Sequence, residues 1–402
     1  MSHPLINVED YRQLAKANLP RIIFESHPLI NVEDYRQLAK ANLPRIIFDY
    51  LDGGAEDEKG LQHNRTVFDQ WRFKPQRLVD VSQRDISCQL FNKIWDAPFA
   101  IAPTGLNSSL WPNGDALLAK SAAKANIPFM LSTASNMSIE EVAKSCDGEK
   151  WFQLYVVHQA LAEQMAQRAL KAGYTTLVIT LDVGVNGYRE RDIRNAFALP
   201  LRFSPRLVLD GMLHPAWSWR FICNAKPQLA NFVTSEINSL EVQAALMSRQ
   251  MDASFNSESL KKIREIWPHT LLVKGIVRPE DALKAIQCGA DGVILSNHGG
   301  RQLDCSISPM ETLHDVVAST HSSILIDSGF RRGSDIVKAL CLGANMVCLG
   351  RATLYGLAAK GEAGVDEVVQ LLKQDIDRTL AQIGCPAVKQ LSTHYLTHEQ
   401  SI

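Results

Sequence analysis

Short apolar runs alternate with longer amphipathic stretches from about residue 95 to residue 351. The runs are PFAIAP (98–103), FMLST (129–133), WFQLYV (151–156), TLVITLD (176–182), LLVKGI (271–276), GVILSN (292–297), SILIDSG (323–329) and MVCLGR (346–351). Each has strand length, and most are apolar at successive positions, as strands covered on both faces are. Between them, stretches 114–126, 159–172, 279–289 and 334–342 space their apolar residues as helices do. This alternation predicts parallel strands joined by crossover helices, and eight such units predict an α/β fold closed into a (β/α)8 TIM barrel. Ahead of the barrel, Val32, Tyr35, Leu38, Ala39, Leu43, Ile46 and Ile47 predict an N-terminal helical segment of one or two short helices, broken at Pro44.

The regularity breaks once: roughly ninety residues separate the fourth run from the fifth, far beyond ordinary loop length, so an insertion follows strand four. A second irregularity lies at the start, where Ser2–Phe24 recurs unchanged as Ser26–Phe48. Structural repeats drift in sequence and need several copies to bury a core, so the first copy reads as an assembly scar. Only the second copy continues into Asp49-Tyr50-Leu51-Asp52-Gly53-Gly54 and the rest of the chain. The expected organisation is a duplicated segment at 1–25, a barrel at 26–384 carrying an insertion at about 195–250, and a tail at 385–402.

Composition narrows the function classes. A hydrophobic fraction of 46%, a charged fraction of 21% and a formal net charge of −1 over 402 residues are ordinary for a soluble globular protein and give no footprint for nucleic acid. The eight cysteines are scattered without metal-site spacing, so reduced thiols and no metal site are expected. No apolar run is long enough to span a bilayer, so any membrane contact is with its surface.

Barrel enzymes build their sites at the C-terminal ends of the strands. Thr104, Ser132, Gln153, Tyr155, Thr180, Asp182, Lys274, Ser296, His298, Asp327 and Arg351 all fall late in a run or just past it. A lone Asp there is often a helix cap and a lone His a packing residue; eleven converging polar residues are not explained by packing alone. After the last two strands, DSGFRRG and LGRA place Asp327, Ser328, Gly329, Phe330, Arg331, Gly350 and Arg351 where barrels commonly bind phosphate, which predicts a phosphate-bearing cofactor. In SNHGGRQLD, His298 stands three residues from Arg301 across two glycines, a base beside an anion clamp. Arg189 in NGYRERD supplies a second clamp, and the planar guanidinium suits a carboxylate. Asp182 is placed to hold the imidazole in one tautomer. The small-molecule substrate this favours is a 2-hydroxy acid.

These motifs resemble those of the FMN-dependent 2-hydroxy acid dehydrogenase and oxidase family, from about residue 26 to about 384. SNHGGRQLD, DSGFRRGSDIVKAL and WFQLYV carry the resemblance, and PQLANFV followed by QAALMSRQMDASFN looks most like the mandelate dehydrogenases within it. The resemblance implies FMN as cofactor, His298 as the base, Asp182 as its partner, Arg189, Arg301 and Tyr50 as carboxylate ligands, and Tyr155 as partner of the substrate hydroxyl. It implies that Pro103, Thr104, Gly105, Ser132, Gln153, Thr180, Lys274 and Ser296 join the phosphate loops in holding the flavin. It further implies (S)-mandelate as substrate within mandelate catabolism, and a homotetramer. Gly105 and Ala134 leave more room than the larger residues common at these places in the family.

The insertion sequence LRFSPRLVLDGMLHPAWSWRFIC mixes Leu207, Val208, Leu209, Met212, Leu213, Trp217, Trp219, Phe221 and Ile222 with Arg202, Arg206, Arg220 and, just beyond, Lys226. A membrane interface favours that mixture. A lid or an oligomer contact fits the composition as well, and the resemblance favours the membrane: about 202–235 on the cytoplasmic face of the inner membrane, peripherally bound, with a quinone as electron acceptor. The rival readings are a soluble oxidase that passes electrons to oxygen and a barrel without catalysis.

Overall fold

A computed structural model of the chain describes residues 28–197, 205–224, 228–232 and 251–399. The first copy of the repeat, Arg202, Lys226 and most of QAALMSRQMDASFN lie outside the described residues.

All eight predicted barrel strands are present: Phe99–Ile101, Phe129–Ser132, Lys150–Tyr155, Thr176–Thr180, Thr270–Ile276, Gly292–Leu295, Ser323–Ile326 and Met346–Leu349. Every neighbouring pair is parallel, and the last strand closes on the first through Val347↔Phe99, Cys348↔Ala100 and Leu349↔Ile101. The crossover helices Gly114–Lys124, Gln159–Lys171, Pro279–Gln287 and Gly333–Cys341 stand where the apolar spacing puts them.

Alternation along these strands divides the core in two. Phe99, Ile101, Phe129, Leu131, Leu177, Ile179, Leu271, Val273 and Val293 face the helix layer. Ala100, Met130, Trp151, Val178, Leu272, Ile294, Leu325 and Met346 fill the barrel interior, and Leu90 and Trp95, from the hairpin Cys88–Leu90 and Lys93–Trp95, close its lower end. Side chains alternate with period two along a strand, so the next inward positions after this apolar layer are 132, 153, 180, 274, 296 and 327. Ser, Gln, Thr, Lys, Ser and Asp occupy them. The polar end of the barrel therefore follows from the register of its apolar middle.

The N-terminal segment forms the helices Val32–Asn42 and Arg45–Asp52, with Pro44 at the break. Asn31 caps the first, its side chain accepting from the N–H groups of Glu33 and Asp34. The second is tied down at its end: the buried Asp52 carboxylate accepts from Arg36 Nε at 2.6 Å and from the Tyr355 hydroxyl at 2.7 Å. The tail is more structured than its predicted role: Cys385, Val388 and Tyr395 are buried, and Leu396–His398 pairs antiparallel with Trp71–Phe73. The folded unit thus extends past 384, and the pairing joins segments so distant in the chain that no local signal announces it.

After strand four comes the helix Glu190–Arg194, and in the insertion Pro205–Leu213 and Pro215–Cys223 are helical. Trp217 is buried and donates from its indole to the Ser109 carbonyl at 2.9 Å, and Arg220 lies over the Trp111 ring at 4.0 Å. Leu209, Met212, Leu213, Trp219 and Ile222 are 62–75% exposed. Among the described residues no helix is long and apolar enough to cross a membrane.

Burial pushes the Asp52 carboxyl up, but its bonds to Arg36 and Tyr355 outweigh this and hold it down at about 2. Its contribution to stability is therefore present above the ordinary value of 3.8 and is lost as pH falls toward 2. Asp52→Ala is expected to cost about 3 kcal/mol at neutral pH, because it leaves Arg36 with Glu33 alone and removes the acceptor of the buried Tyr355 hydroxyl, and denaturant unfolding of the variant checks this.

Candidate active site

The barrel's polar end opens into a cavity of about 820 Å³, within the span of roughly 300–1,000 Å³ usual for ligand sites. Tyr50, Pro103, Thr104, Gly105, Tyr155, Arg189, Lys274, His298, Arg301, Asp327, Ser328, Gly329, Phe330, Arg331, Gly350 and Arg351 line it, all of them expected there. Asp182 stands behind His298. Ser132, Gln153, Thr180 and Ser296 are buried and bonded to neighbours instead of lining the cavity: Ser132 Oγ donates to Gln153 Oε1 at 3.0 Å, Gln153 Nε2 to Thr180 Oγ1 at 2.9 Å, and Lys274 Nζ to Ser296 Oγ at 2.8 Å.

His298 has a left-handed backbone, φ +57°, which costs a non-glycine residue about 1 kcal/mol or more. Its N–H donates to Ser296 Oγ at 3.0 Å, and Gly299 and Gly300 continue in the same region. The turn delivers the imidazole between two partners, Asp182 Oδ1 at 3.0 Å from Nδ1 and the Tyr155 hydroxyl at 3.3 Å from Nε2. Asp182 as acceptor fixes the proton on Nδ1 and leaves the Nε2 lone pair toward the cavity. Burial pushes the imidazole below its ordinary 6.5, and Lys274 and Arg189 add to this against the opposing pull of Asp182, so the ring is neutral and basic at neutral pH. Burial raises the Asp182 carboxyl, but His298 and Lys274 outweigh it and keep it ionised. Its Oδ2 is buried without a partner among the described residues.

Lys274 lies 3.1 Å from Asp327 Oδ2; burial opposes its charge, and the carboxylates of Asp327 and Asp182 more than restore it. The residue after it must be glycine: Gly275 has φ +95°, and a Cβ there would sit 2.7 Å from Asp182 Cγ and 2.8 Å from its backbone N.

The arginines divide their N–H groups between protein and cavity. Arg301 Nη1 donates to the carbonyls of Tyr50 and Gly53, each at 2.8 Å. Arg351 donates to those of Leu51, Gly53 and Gly299 at 3.1, 2.7 and 3.0 Å, a structural task that its expected role did not include. Burial lowers its pKa to about 10, with the neighbouring Arg301 adding to the shift, so it stays charged at neutral pH. Two cations thus grip the C-terminal carbonyls of Arg45–Asp52, where the helix dipole favours them. The Tyr50 ring stacks on Phe197 at 4.5 Å and its hydroxyl reaches the Gly105 carbonyl at 3.4 Å. Phe197, Leu229, Phe232 and Met251 add an apolar side to the cavity; Leu229, Phe232 and Met251 lie in PQLANFV and QAALMSRQMDASFN, which carried the resemblance without assigning any of them to the site.

The residues suit a flavin mononucleotide. The helix Arg351–Lys360 begins at the cavity, with Arg331 and Arg351 in the same wall, a donor set matched to phosphate. A Cβ on Gly350 would meet only Thr104 Cγ2, at 3.9 Å, so its bareness leaves space in the cavity. Lys274 supplies a fixed positive charge at the base of the wall.

Fold and site together define a barrel whose mouth suits a phosphate-bearing cofactor and a small acid side by side. The FMN-dependent dehydrogenase family matches residues 39–398. An (S)-mandelate dehydrogenase of Pseudomonas putida is 64% identical over 399 residues, covering 99% of this chain and 95% of that one. A peroxisomal (S)-2-hydroxyacid oxidase of Arabidopsis thaliana is 39% identical over 399 residues, covering 98% and 97%. The crystal structure of a monotopic membrane protein, (S)-mandelate dehydrogenase, superposes with a TM-score of 0.90 at 64% identity, covering 93% of this chain and all of that one. The chain belongs to the FMN-dependent dehydrogenase family, and FMN is its cofactor.

Gly275→Ala forces a side chain against Asp182 on a backbone that disfavours one. We expect a loss of about 1–3 kcal/mol in stability and a fall of about tenfold or more in flavin reduction by substrate, read by unfolding and stopped-flow absorbance on the same preparation.

Proposed function

We propose that this enzyme oxidises (S)-mandelate, or a closely related (S)-2-hydroxy acid with an aryl side chain, to the 2-oxo acid, and that the electrons pass to a membrane quinone. The observation that carries the reading is the His298–Asp182 pair facing the same cavity as Arg189 and Arg301. Arg189 and Arg301 bind the carboxylate, with the Tyr50 hydroxyl beside them. Tyr155 holds the substrate hydroxyl, and His298 Nε2 receives the substrate proton while Asp182 stabilises the imidazolium that results. The bound FMN supplies a two-electron acceptor, and Lys274 places a permanent positive charge at that wall. Pro103, Thr104, Gly105, Asp327–Arg331, Gly350 and Arg351 complete its seat, with Ser132, Gln153, Thr180 and Ser296 acting from the buried layer beneath the cavity. Gly105, Ala134, Phe197 and Phe232 give an aryl group an apolar berth, and the similarity to a mandelate dehydrogenase supports the same choice.

The membrane part of the reading rests on the insertion. Pro215–Cys223 turns Trp217 onto the barrel and leaves Trp219 and Ile222 outward, and Pro205–Leu213 buries Leu207 while leaving Leu209, Met212 and Leu213 outward. An apolar outer face on a helix already packed on its inner face suits the headgroup boundary of a bilayer, on the cytoplasmic face of the inner membrane. Assembly as a homotetramer belongs to the same proposal, and light scattering on the detergent-solubilised protein tests it. The second reading, an oxidase passing electrons to oxygen, draws on the 39% identity to a plant oxidase and predicts rapid oxygen consumption on an electrode.

Anaerobic mixing with a panel of 2-hydroxy acids of both hands should bleach the flavin fastest with (S)-mandelate; bleaching by (R)-mandelate alone overturns the reading. His298→Asn should keep FMN and lose flavin reduction by about 10⁴-fold. Since the base works neutral and its pKa is pushed down, the acid limb of kcat/KM should lie below pH 6.5, with activity falling as pH drops through it. Excising about 202–235 should move the protein from the membrane pellet to the supernatant and leave a flavin that (S)-mandelate still reduces, more slowly because Leu229 and Phe232 are lost from the cavity.

A further inference from the structure

Gln302, directly after Arg301, has no part in the chemistry above, yet it is 8% exposed and its amide is bonded at both ends. Its Nε2 donates to the carbonyls of Asp182 at 2.6 Å and Val185 at 3.2 Å, and its Oε1 accepts from the Gly187 N–H at 3.0 Å. All three partners lie on the loop after the fourth barrel strand. That loop is pressed so close that a Cβ on Gly187 would collide with the Arg301 carbonyl and lie 2.7 Å from Gln302 Cα. Two residues on, Arg189 Nε donates to the Arg301 carbonyl at 3.2 Å.

The two loops joined in this way divide the chemistry between them. The one after strand four carries Asp182 and Arg189; the one after strand six carries His298 and Arg301. Each supplies one member of the proton-handling pair and one of the arginines. Neither pair has its geometry until the loops are held together.

We propose that Gln302 is a positioning residue for the reaction: its amide locks the strand-four loop to the strand-six loop and so sets the His298–Asp182 contact and the spacing of Arg189 and Arg301. The inference rests on the proposed role of His298. The task needs an amide, because the same head must donate to two carbonyls and accept from one N–H. A carboxylate keeps only the acceptor and turns an oxygen toward the Asp182 carbonyl, and an aliphatic side chain keeps neither. Arg301 ties loop six to the N-terminal helix through Tyr50 and Gly53, and Gly299 accepts from Arg351 after strand eight; toward the strand-four loop, Gln302 supplies three bonds beside those of Arg189 to Arg301 and of His298 to Asp182.

The groups facing the His298 ring are Asp182, Tyr155, Lys274 and Arg189. Of these Asp182 holds the imidazolium, so a strand-four loop that slips away from His298 takes with it both that pull, the larger, and the weaker opposition of Arg189, while Lys274 on strand five continues to oppose the charge. Gln302→Leu should therefore retain FMN, reduce it about tenfold or more slowly at saturating (S)-mandelate, and shift the acid limb of the rate to lower pH by about half a unit or more. A slower rate with an unmoved acid limb means the residue acts on general stability alone and overturns the inference, as does a wild-type rate. Should Q302L fail to fold or to hold FMN, Gln302→Glu carries the same test, and a wild-type profile there overturns it equally. A wild type whose flavin (S)-mandelate does not bleach overturns the proposed function and this inference with it, whereas a bleaching wild type beside an unaltered variant overturns the inference alone.

Discussion

The parity of the barrel strands governs the site. Closing eight parallel strands forces alternate residues inward, and the middle of the barrel is filled by Met130, Trp151, Val178, Leu272, Ile294, Leu325 and Met346. With that layer fixed, residues 132, 153, 180, 274, 296 and 327 have no other direction to face. Six polar side chains then share a space with little water, and they stay there by satisfying one another: serine, glutamine and threonine in a chain of hydrogen bonds, and Lys274 against Asp327. A buried lysine without its carboxylate would lose its proton to desolvation, so the charge at the cavity wall exists because the register of strand seven puts Asp327 beside it. A one-residue slip in any strand would turn its member of this layer outward.

Above the polar layer, control passes from strands to the segment 296–304. Ser296 holds Lys274 and the His298 N–H, Asn297 pairs with Asn64, and Gly299 donates to Ser328 and accepts from Arg351. Arg301 reaches the N-terminal helix, and Asp304 accepts from the N–H groups of Lys59 and Gly60 at the start of the helix Lys59–Thr66. The left-handed turn at His298, Gly299 and Gly300 lets so many partners approach within nine residues, since each residue there projects its N–H or carbonyl in a new direction. The cost of a histidine in that conformation is met by contacts on every side, which is how strain persists at a reactive group.

This division explains what the sequence disclosed. The barrel strands and their helices were legible because each is a local pattern of about five to ten residues, and strand ends named the polar layer once parity was applied. His298, Asp182, Arg189 and Arg301 were legible as residue types at those ends. Other features left no local trace. The carbonyls of Tyr50, Leu51 and Gly53 as partners of Arg301 and Arg351 depend on where a helix 248 to 300 residues earlier comes to rest. The same holds for the strand Leu396–His398, which pairs with Trp71–Phe73, and for Phe197 and Phe232, whose place on the cavity depends on how the insertion folds back. Gln302 stood inside the most specific motif of the chain, yet its role is a distance between two loops, and that is a property of the fold.

The insertion shows the limit from the other side, because its composition alone allowed a lid, an oligomer contact or a membrane surface. Helical spacing separates inner from outer residues: Trp217 and Phe221, four apart and stacked at 4.8 Å, face the protein, while Trp219 and Ile222, three apart, face away. Arg220 lies between these stripes, drawn back over Trp111. A lid closing on its own cavity would turn its apolar residues toward Tyr50 and Phe197, yet the exposed stripe points elsewhere and the cavity takes its apolar side from Phe197, Leu229, Phe232 and Met251. The insertion thus has two apolar faces with separate work. One completes the cavity and packs on the barrel, and the other leaves Leu209, Met212, Leu213, Trp219 and Ile222 open at the surface, the face on which the proposed membrane contact rests.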